Sequence, residues 1–474
     1  MFEYSQLLER IAQVLGPDGL VTSTPSMDSY MHEERGLYHG RAVAVVRPAS
    51  TSEAAAVVQL CAAAGVPLVP QGGNTSLVGG SVPWEHGSEI LLSTKRLNRV
   101  RAVDSLNYTI TVEAGCLLTD VQKAAATAGY LFPLSLGAAE SCHIGGNLAT
   151  NAGGLNVMRY GTARDLTLGL EVVLPDGQVW DGLRGLAKDN SGYALKHLFI
   201  GAEGTLGFIT AAVLKLFPQP CDVQTALCAL PGVEESLTLL SQARAASGDS
   251  VTAFELMPRL GLVFCLHHLP GIADPFAMAW PWYVLIELST ANRTAKLRTV
   301  LESLLEQSLV AGAIGDAVIA DNLEKTASLW RIREGLPEAQ RREGGSIKHD
   351  ISVPVSRIPE FLTQATTAVT EYIPGIRVCA FGHVGDGNIH FNLSQPLTMD
   401  RKSFLNQWLQ LNRVVHDIVI AMGGSIAAEH GIGRLKREEM IRCKNPVELE
   451  LMRRIKKTLD PHYIMNPGKV IERT

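Results

Sequence analysis

None of the eight cysteines forms a Cys-x-x-Cys pair, and no cluster of them has iron–sulfur spacing. Scattered cysteines fit a reduced compartment better than a disulfide framework. The chain also lacks a basic block, a zinc-finger spacing and an RNA-binding signature, and its formal net charge is −5. A nucleic-acid partner is therefore not expected. Apolar runs are too short for a transmembrane helix. The opening "MFEYSQLLERIAQVLG" reads as an amphipathic helix, not a signal or transit peptide, so a cytoplasmic location is expected. The Walker A pattern is absent, and G-x-G-x-x-G is absent from the first glycine-rich loop. Neither a P-loop nor a nicotinamide-binding Rossmann site has its signature. No internal repeat or low-complexity tract is present.

What is there is ordinary globular composition on a long chain. The 474 residues are 46% hydrophobic and 19% charged, enough for two or three domains with sizeable cores. "AVAVVRP" (42–48) reads as a buried strand and "TSEAAAVVQLCAAAG" (51–65) as a helix capped by Thr51 or Ser52 and stopped by Gly65. "VPLVP" then reads as a second strand, an order that argues α/β. Further strand-like runs are "EILLST", "YTITVEAG", "TLGLEVVLPDG" and "LFIGAEGTLGFITAAVLKL". The proline-punctuated "FPQPCD" (217–222) marks a boundary. Beyond it, amphipathic helices alternate with strands such as "WYVLIEL", "SIKHDISVPV" and "IRVCAFGHV", a pattern of α+β type with an antiparallel sheet.

Two loops are rich in glycine: "PQGGNTSLVGGSVP" (70–83) and "GAAESCHIGGNLATNAGGLNVMRYG" (137–161). Backbone without side chains approaches a phosphate closely and offers it N–H groups. The second loop adds Ser141, Thr150 and several asparagines, a cradle larger than one phosphate needs. It suits a dinucleotide pyrophosphate with a ribose or ring attached.

The other unusual stretch is "FGHVGDGNIHFN" (381–392). Its glycines disfavour a helix. A strand, a turn at Asp386-Gly387 and a second strand fit better. A turn centred on that pair sets His383 directly opposite His390, about 5 Å apart at Cβ, where two imidazoles can grip one ion. "IAAEHGIGRLK" (426–436) supplies a carboxylate, Glu429, beside His430. Two histidines and one carboxylate make a catalytic zinc set with an open position, a donor set that also suits Mn2+ or Co2+.

Together these loops, with "KDNSGYALKHLFIGAEGTLG", "GHVGDGNIH" and "AAEHGIGR", resemble the flavin-linked D-2-hydroxy-acid dehydrogenases. That family belongs to the vanillyl-alcohol-oxidase superfamily with the PCMH-type FAD fold. The resemblance runs from about residue 40 to 470. It implies an α+β protein: a PCMH-type FAD-binding domain of two α/β subdomains (1–217), an α+β substrate or cap domain with an antiparallel sheet and the metal site (218–424), and a C-terminal segment (425–474) returning to the flavin.

The resemblance also implies roles for residues. Pro70, Gly72, Gly73, Asn74, Thr75 and Ser76 would hold the FAD pyrophosphate. Gly137, Ser141, Gly145, Gly146, Asn147 and Asn151 would wrap the rest of the cofactor, with Glu203, Gly204, Ile209 and Asn466 closing on it. No histidine stands at 70–83, so non-covalent FAD is expected. His383, His390 and Glu429 would ligate the divalent metal. His430 would act as general base, and Asn392 would serve both catalysis and substrate binding. Asp386 and Asn388 would form the turn or support the ligands. Arg333 and Lys348 would hold substrate carboxylates, which favours a dicarboxylate: D-2-hydroxyglutarate first, D-malate second, with D-lactate and glycolate the substrates of near relatives. Where the hydroxyglutarate branch carries threonine four residues after that arginine, this chain has Pro337, expected to interrupt the helix. Electrons would leave to an external acceptor, an electron-transfer flavoprotein or a quinone, and a homodimer is common in the family.

Overall fold

In the computed structural model, which describes residues 4–33 and 35–472, the alanine-rich run after the first strand forms the helix Thr51–Ala64. Its cap is Ser50, one residue earlier than expected: the Ser50 hydroxyl accepts from the Glu53 N–H, while Gly65 ends the helix at φ +64°. The N-terminal amphipathic run is helical over Tyr4–Leu15, and its first three residues lie outside the described ones. Leu7, Ile11 and Leu15 bury one face beside Val57, Val58 and Cys61 of the second helix. Both helices cover a four-stranded sheet ordered Leu20–Val21, Ala44–Val46, Ile90–Ser93, Leu68–Gln71, in which the last three strands run parallel. The strands of that parallel part are short apolar runs, as expected where both faces are buried.

A second sheet of the same unit is antiparallel throughout, ordered Val100–Asp104, Thr109–Glu113, Phe208–Lys215, Thr167–Val173, Val179–Gly182. Only the end of "LFIGAEGTLGFITAAVLKL" is strand. Its start is the short helix Lys196–Phe199 and a loop in which Glu203 has φ +49°. The chain's last stretch completes this unit. Leu68 donates its N–H to the Ile464 carbonyl and accepts from the Asn466 N–H, both at 2.7 Å. This unit takes the residues up to Gly154, Tyr160–Gln219 and those from Glu429 onward.

The other unit takes Leu155–Arg159 and Pro220–Ala428. Its seven strands are all antiparallel, ordered Asp316–Ile319, Asp222–Leu230, Trp282–Thr290, Val251–Pro258, Arg377–His383, Asn388–Ser394, Ser346–Ser352. Alternation along each strand sends Phe254, Leu256, Ala380, Ile389 and Phe391 to one face, under the helices Glu234–Ser247, Leu297–Val310, Ile358–Tyr372 and Trp408–Ala421. The opposite face carries Met257, Leu285, Cys379 and Phe381, packed by Arg259–His268 and Leu323–Arg342. The divisions fall at Gln219/Pro220 and Ala428/Glu429, against 217/218 and 424/425 expected from sequence.

Candidate active site

In the first unit the two glycine-rich loops meet backbone to backbone. A Cβ built at Gly73 would overlap the Ser141 carbonyl oxygen, and one at Gly72 would lie 3.4 Å from the Gly146 backbone. Gly145 is held against Ala114, whose Cβ would be 2.7 Å from an added methyl, and Gly204 (φ +71°) against Pro70. Asn74, Asn151, Glu203 and Asn466 all sit at positive φ, between +47° and +57°. A left-handed conformation costs a non-glycine residue of order 1 kcal/mol and collects at ligand clamps. All four belong to the set expected to hold the cofactor.

Hydrogen bonds fix these residues. Asn74 donates to the His32 carbonyl at 2.5 Å and accepts from Ser81 at 2.9 Å. Asn151 accepts from the Arg164 N–H. Glu203 accepts from the backbone N–H groups of Ile432 and Gly433 at 2.7 and 2.9 Å. Asn466 donates to the carbonyls of Gly80 and Glu203, which fixes its amide, and leaves its buried Oδ1 without a hydrogen-bond partner among the described residues. An orphaned buried acceptor among glycines that admit no side chain fits a bound flavin dinucleotide in this cradle. His143 heads the helix Ile144–Ala149 within 2.8 Å of the Thr94 hydroxyl, and burial, with Lys95 adding to it, lowers its imidazole to about 4, so it stays neutral. Sequence reasoning assigned His143 no role. Gly137 and Ser141 are exposed, Ile209 is buried in the sheet core, and Thr75, Ser76 and Pro70 are half-buried.

Gly73→Ala tests the close packing of the loops. It is expected to abolish flavin retention, read as loss of the yellow absorbance on purification, while Gly137→Ala, where an added Cβ meets nothing within 4 Å, keeps it. Glu203 gives a pH dependence. Burial pushes its carboxyl up to about 7, against the two backbone N–H groups that lower it. The fold thus prefers the neutral acid. That stabilisation is complete below the unfolded value near 4.5 and is lost as pH rises through 7. Urea melts at pH 5 and pH 8 are expected to differ by up to about 3 kcal/mol more in the wild type than in Glu203→Gln.

In the second unit the hairpin register differs from the sequence expectation. His383 pairs with Asn388, and His390 with Phe381. The turn is the longer Val384–Gly387, with Gly387 at φ +86°. The two histidines are therefore diagonal neighbours and not direct partners. The shift is even, so both still point to one face, with ring centroids 5.7 Å apart. On the other side, Asp350 pairs with His390 and Lys348 with Asn392, which places Lys348, Asp350, Asn388, His390, Asn392 and His383 on the same face.

Glu255, on Val251–Pro258, is directly paired with His383 and fully buried. Its Oε1 lies 2.6 Å from His383 Nδ1 and its Oε2 accepts from Arg333 Nε at 2.7 Å. Burial raises this carboxyl, but the charges and hydrogen bonds of His383 and Arg333 outweigh it and hold it at about 2. Glu255 is ionised at neutral pH. Arg333 is 6% exposed and lies over the Phe381 ring at 4.9 Å. No hydrogen bond among the described residues uses its terminal nitrogens. The helix Leu323–Arg342 runs through Pro337 without interruption, contrary to expectation. The proline has no N–H for the Arg333 carbonyl four residues back, so its mark is a weakened turn beneath the arginine. Asn392 donates to Gln340 Oε1 at 2.9 Å, and Gln340 donates to Ser394. Asn388 donates to Asp350 and to the Ile351 carbonyl, so its amide is fixed, and its buried Oδ1 has no hydrogen-bond partner among the described residues. Two imidazoles and an orphaned acceptor oxygen on one polar sheet face fit a cation there.

Glu255 and Gln340 were missed from sequence. The signal for the first was present: one carboxylate in the apolar run "VTAFELMP". Glu429 and His430 belong to the first unit, where Glu429 Oε1 accepts from the Gly154 N–H at 2.6 Å.

Two family models match the chain, an FAD binding domain over residues 42–182 and the C-terminal domain of FAD linked oxidases over 219–470. The solved structure of p-cresol methylhydroxylase with substrate bound superimposes with a TM-score of 0.78 at 16% identity, covering 99% of this chain and 97% of that one, which defines the fold as the PCMH-type flavin fold. The D-2-hydroxyglutarate dehydrogenase of Arabidopsis thaliana, a mitochondrial protein by name, is 36% identical over 464 residues, 97% of this chain and 80% of that protein. The D-2-hydroxyglutarate dehydrogenase of Xanthomonas citri pv. viticola is 36% identical over 455 residues, 96% and 94% of the two chains. The chain belongs to the FAD-linked D-2-hydroxy-acid dehydrogenase family.

Proposed function

We propose that this enzyme oxidises D-2-hydroxyglutarate, and D-malate more slowly, to the 2-oxo acid. The observation that carries the choice of a dicarboxylate is Arg333: a buried guanidinium whose Nε is committed to Glu255 and whose terminal fork is left for a carboxylate. The full-length likeness to proteins named D-2-hydroxyglutarate dehydrogenase supports the same reading.

FAD, held non-covalently by residues 70–76, the loop from Gly137 to Asn151, Glu203–Ile209 and Asn466, supplies the hydride acceptor. A divalent ion, Zn2+ first and Mn2+ or Co2+ next, held by His383, His390 and Glu429, supplies a Lewis acid at the 2-hydroxyl. Arg333 binds the distal carboxylate in bidentate fashion and Lys348 adds a point charge for substrate carboxylate. Asn392, its amide N–H spent on Gln340, orients the hydroxyl end through its oxygen. His430 takes the hydroxyl proton as general base, a task suited to imidazole near neutral pH. The electrons leave to an electron-transfer flavoprotein or a quinone, and the enzyme works as a homodimer. No helix among the described residues is long and apolar enough to cross a membrane. We place the protein in the cytoplasm, although the Arabidopsis relative is named as mitochondrial.

The test is anaerobic bleaching of the flavin absorbance by D- and L-2-hydroxyglutarate, D-malate, D-lactate and glycolate. Fast bleaching by the D-dicarboxylates is the expected result. Bleaching by lactate alone would move the substrate assignment and make Pro337 the first position to change.

A further inference from the structure

We infer that Glu255 is a positioning residue that couples the metal centre to the substrate-binding arginine, an inference that rests on the metal and substrate reading above. One buried carboxylate holds both groups. His383 Nδ1 lies 2.6 Å from Oε1, and Arg333 Nε donates to Oε2 at 2.7 Å. The carboxylate already accepts from the always-charged Arg333 through Oε2 and offers Oε1 as acceptor to His383, which puts the imidazole proton on Nδ1 and the ligating lone pair on Nε2. The same carboxylate takes the inner N–H of Arg333 and turns the two terminal nitrogens outward as a fork. The two contacts share one charge. Drawing on the arginine side weakens the carboxylate as an acceptor for the histidine, and releasing it strengthens that acceptor. Support of a ligating histidine by a carboxylate raises the basicity of the ligand, and losing such a partner typically lowers metal affinity 10–100-fold.

Glutamine is the informative replacement. It has the shape of glutamate but one acceptor oxygen and an NH2 group that only donates, so it cannot offer a separate acceptor oxygen to each of two N–H donors. Either His383 is driven to the other tautomer or Arg333 loses its anchor.

The experiment measures Zn2+ dissociation constants of the flavin-loaded protein by competition with a chromophoric chelator, for wild type, Glu255→Gln, Glu255→Asp and Arg333→Met, with a thermal melt of each. Glu255→Gln is expected to bind Zn2+ about 10–100-fold more weakly. Glu255→Asp, which keeps both acceptor oxygens, is expected to recover part of that loss. Arg333→Met, which contacts Glu255 and no metal ligand, is expected to bind Zn2+ several-fold more tightly, because the carboxylate is then left to His383. A glutamate with a merely structural role would change the melts and leave the Zn2+ constants alike. Unchanged affinity in a folded Glu255→Gln overturns the positioning role, and unchanged affinity in Arg333→Met overturns the coupling. If the wild type takes up neither Zn2+ nor Mn2+, the metal reading fails and the coupling fails with it.

Discussion

His383→Ala is expected to give a yellow protein that holds its flavin and has lost its metal, with turnover of D-2-hydroxyglutarate reduced by about a thousandfold or more. The size follows from the proposed task. Stabilising the developing alkoxide by a Lewis acid contributes several kcal/mol, and about 4 kcal/mol is a thousandfold. The flavin is expected to stay because the residues proposed to hold it, Gly73, Asn74, Glu203 and Asn466, belong to the other unit. Metal analysis, flavin absorbance and kcat on the same preparation separate the two cofactors. Chelator-treated wild type should match the variant and recover on adding Zn2+ or Mn2+, whereas the variant should not. Full activity in His383→Ala would remove the metal from the mechanism.

Arg333→Met should act on binding and discriminate among substrates. The charge-assisted bonds from the guanidinium to a distal carboxylate amount to about 3 kcal/mol, so KM for D-2-hydroxyglutarate is expected to rise about 100-fold. D-lactate, which lacks that carboxylate, should show little change in KM. An equal effect on both substrates would end the clamp assignment. Arg333→Lys keeps the charge but not the fork, and should fall between. Stability also responds. Glu255 is fully buried, and removing one partner of a buried pair commonly costs about 3–5 kcal/mol. Here His383 still faces the carboxylate, so the lower end is expected in a urea melt.

The glycine-rich loops were legible because their chemistry is local. Gly73, Gly145 and Gly204 stand where one added carbon would collide with backbone, Ala114 or Pro70, Gly72 lies at contact distance from the Gly146 backbone, and such positions announce themselves as glycine. The histidine pair was legible as a pair, and its shared face survived a wrong register. A two-residue turn at Asp386-Gly387 and the observed four-residue turn differ by two residues, both taken from the first strand, and an even shift preserves the face. Glu255 was legible as a lone carboxylate in an apolar strand, but its partners were not. Its partners are 78 and 128 residues away, and nothing in "AFELMP" tells which strand will lie beside it. Pro337 misled because a proline within a helix is usually read as a break, whereas a 20-residue helix packed along a sheet absorbs it.

The first unit is interrupted in sequence by the whole of the second, and this sets an order of synthesis. The bridge from Leu68 to Ile464 and Asn466, and the buried Lys456, which donates to the carbonyls of Thr205 and Met465 and to Asp460, use residues that leave the ribosome only after the whole of the second unit. The seven-stranded unit can collapse while those residues are still being made. With Asn466 in its proposed role at the flavin, the cradle closes only once that residue arrives, and flavin capture is expected to be a late event. A chain stalled before residue 429 would carry the complete seven-stranded sheet of one unit and lack the last residues proposed to hold the flavin in the other.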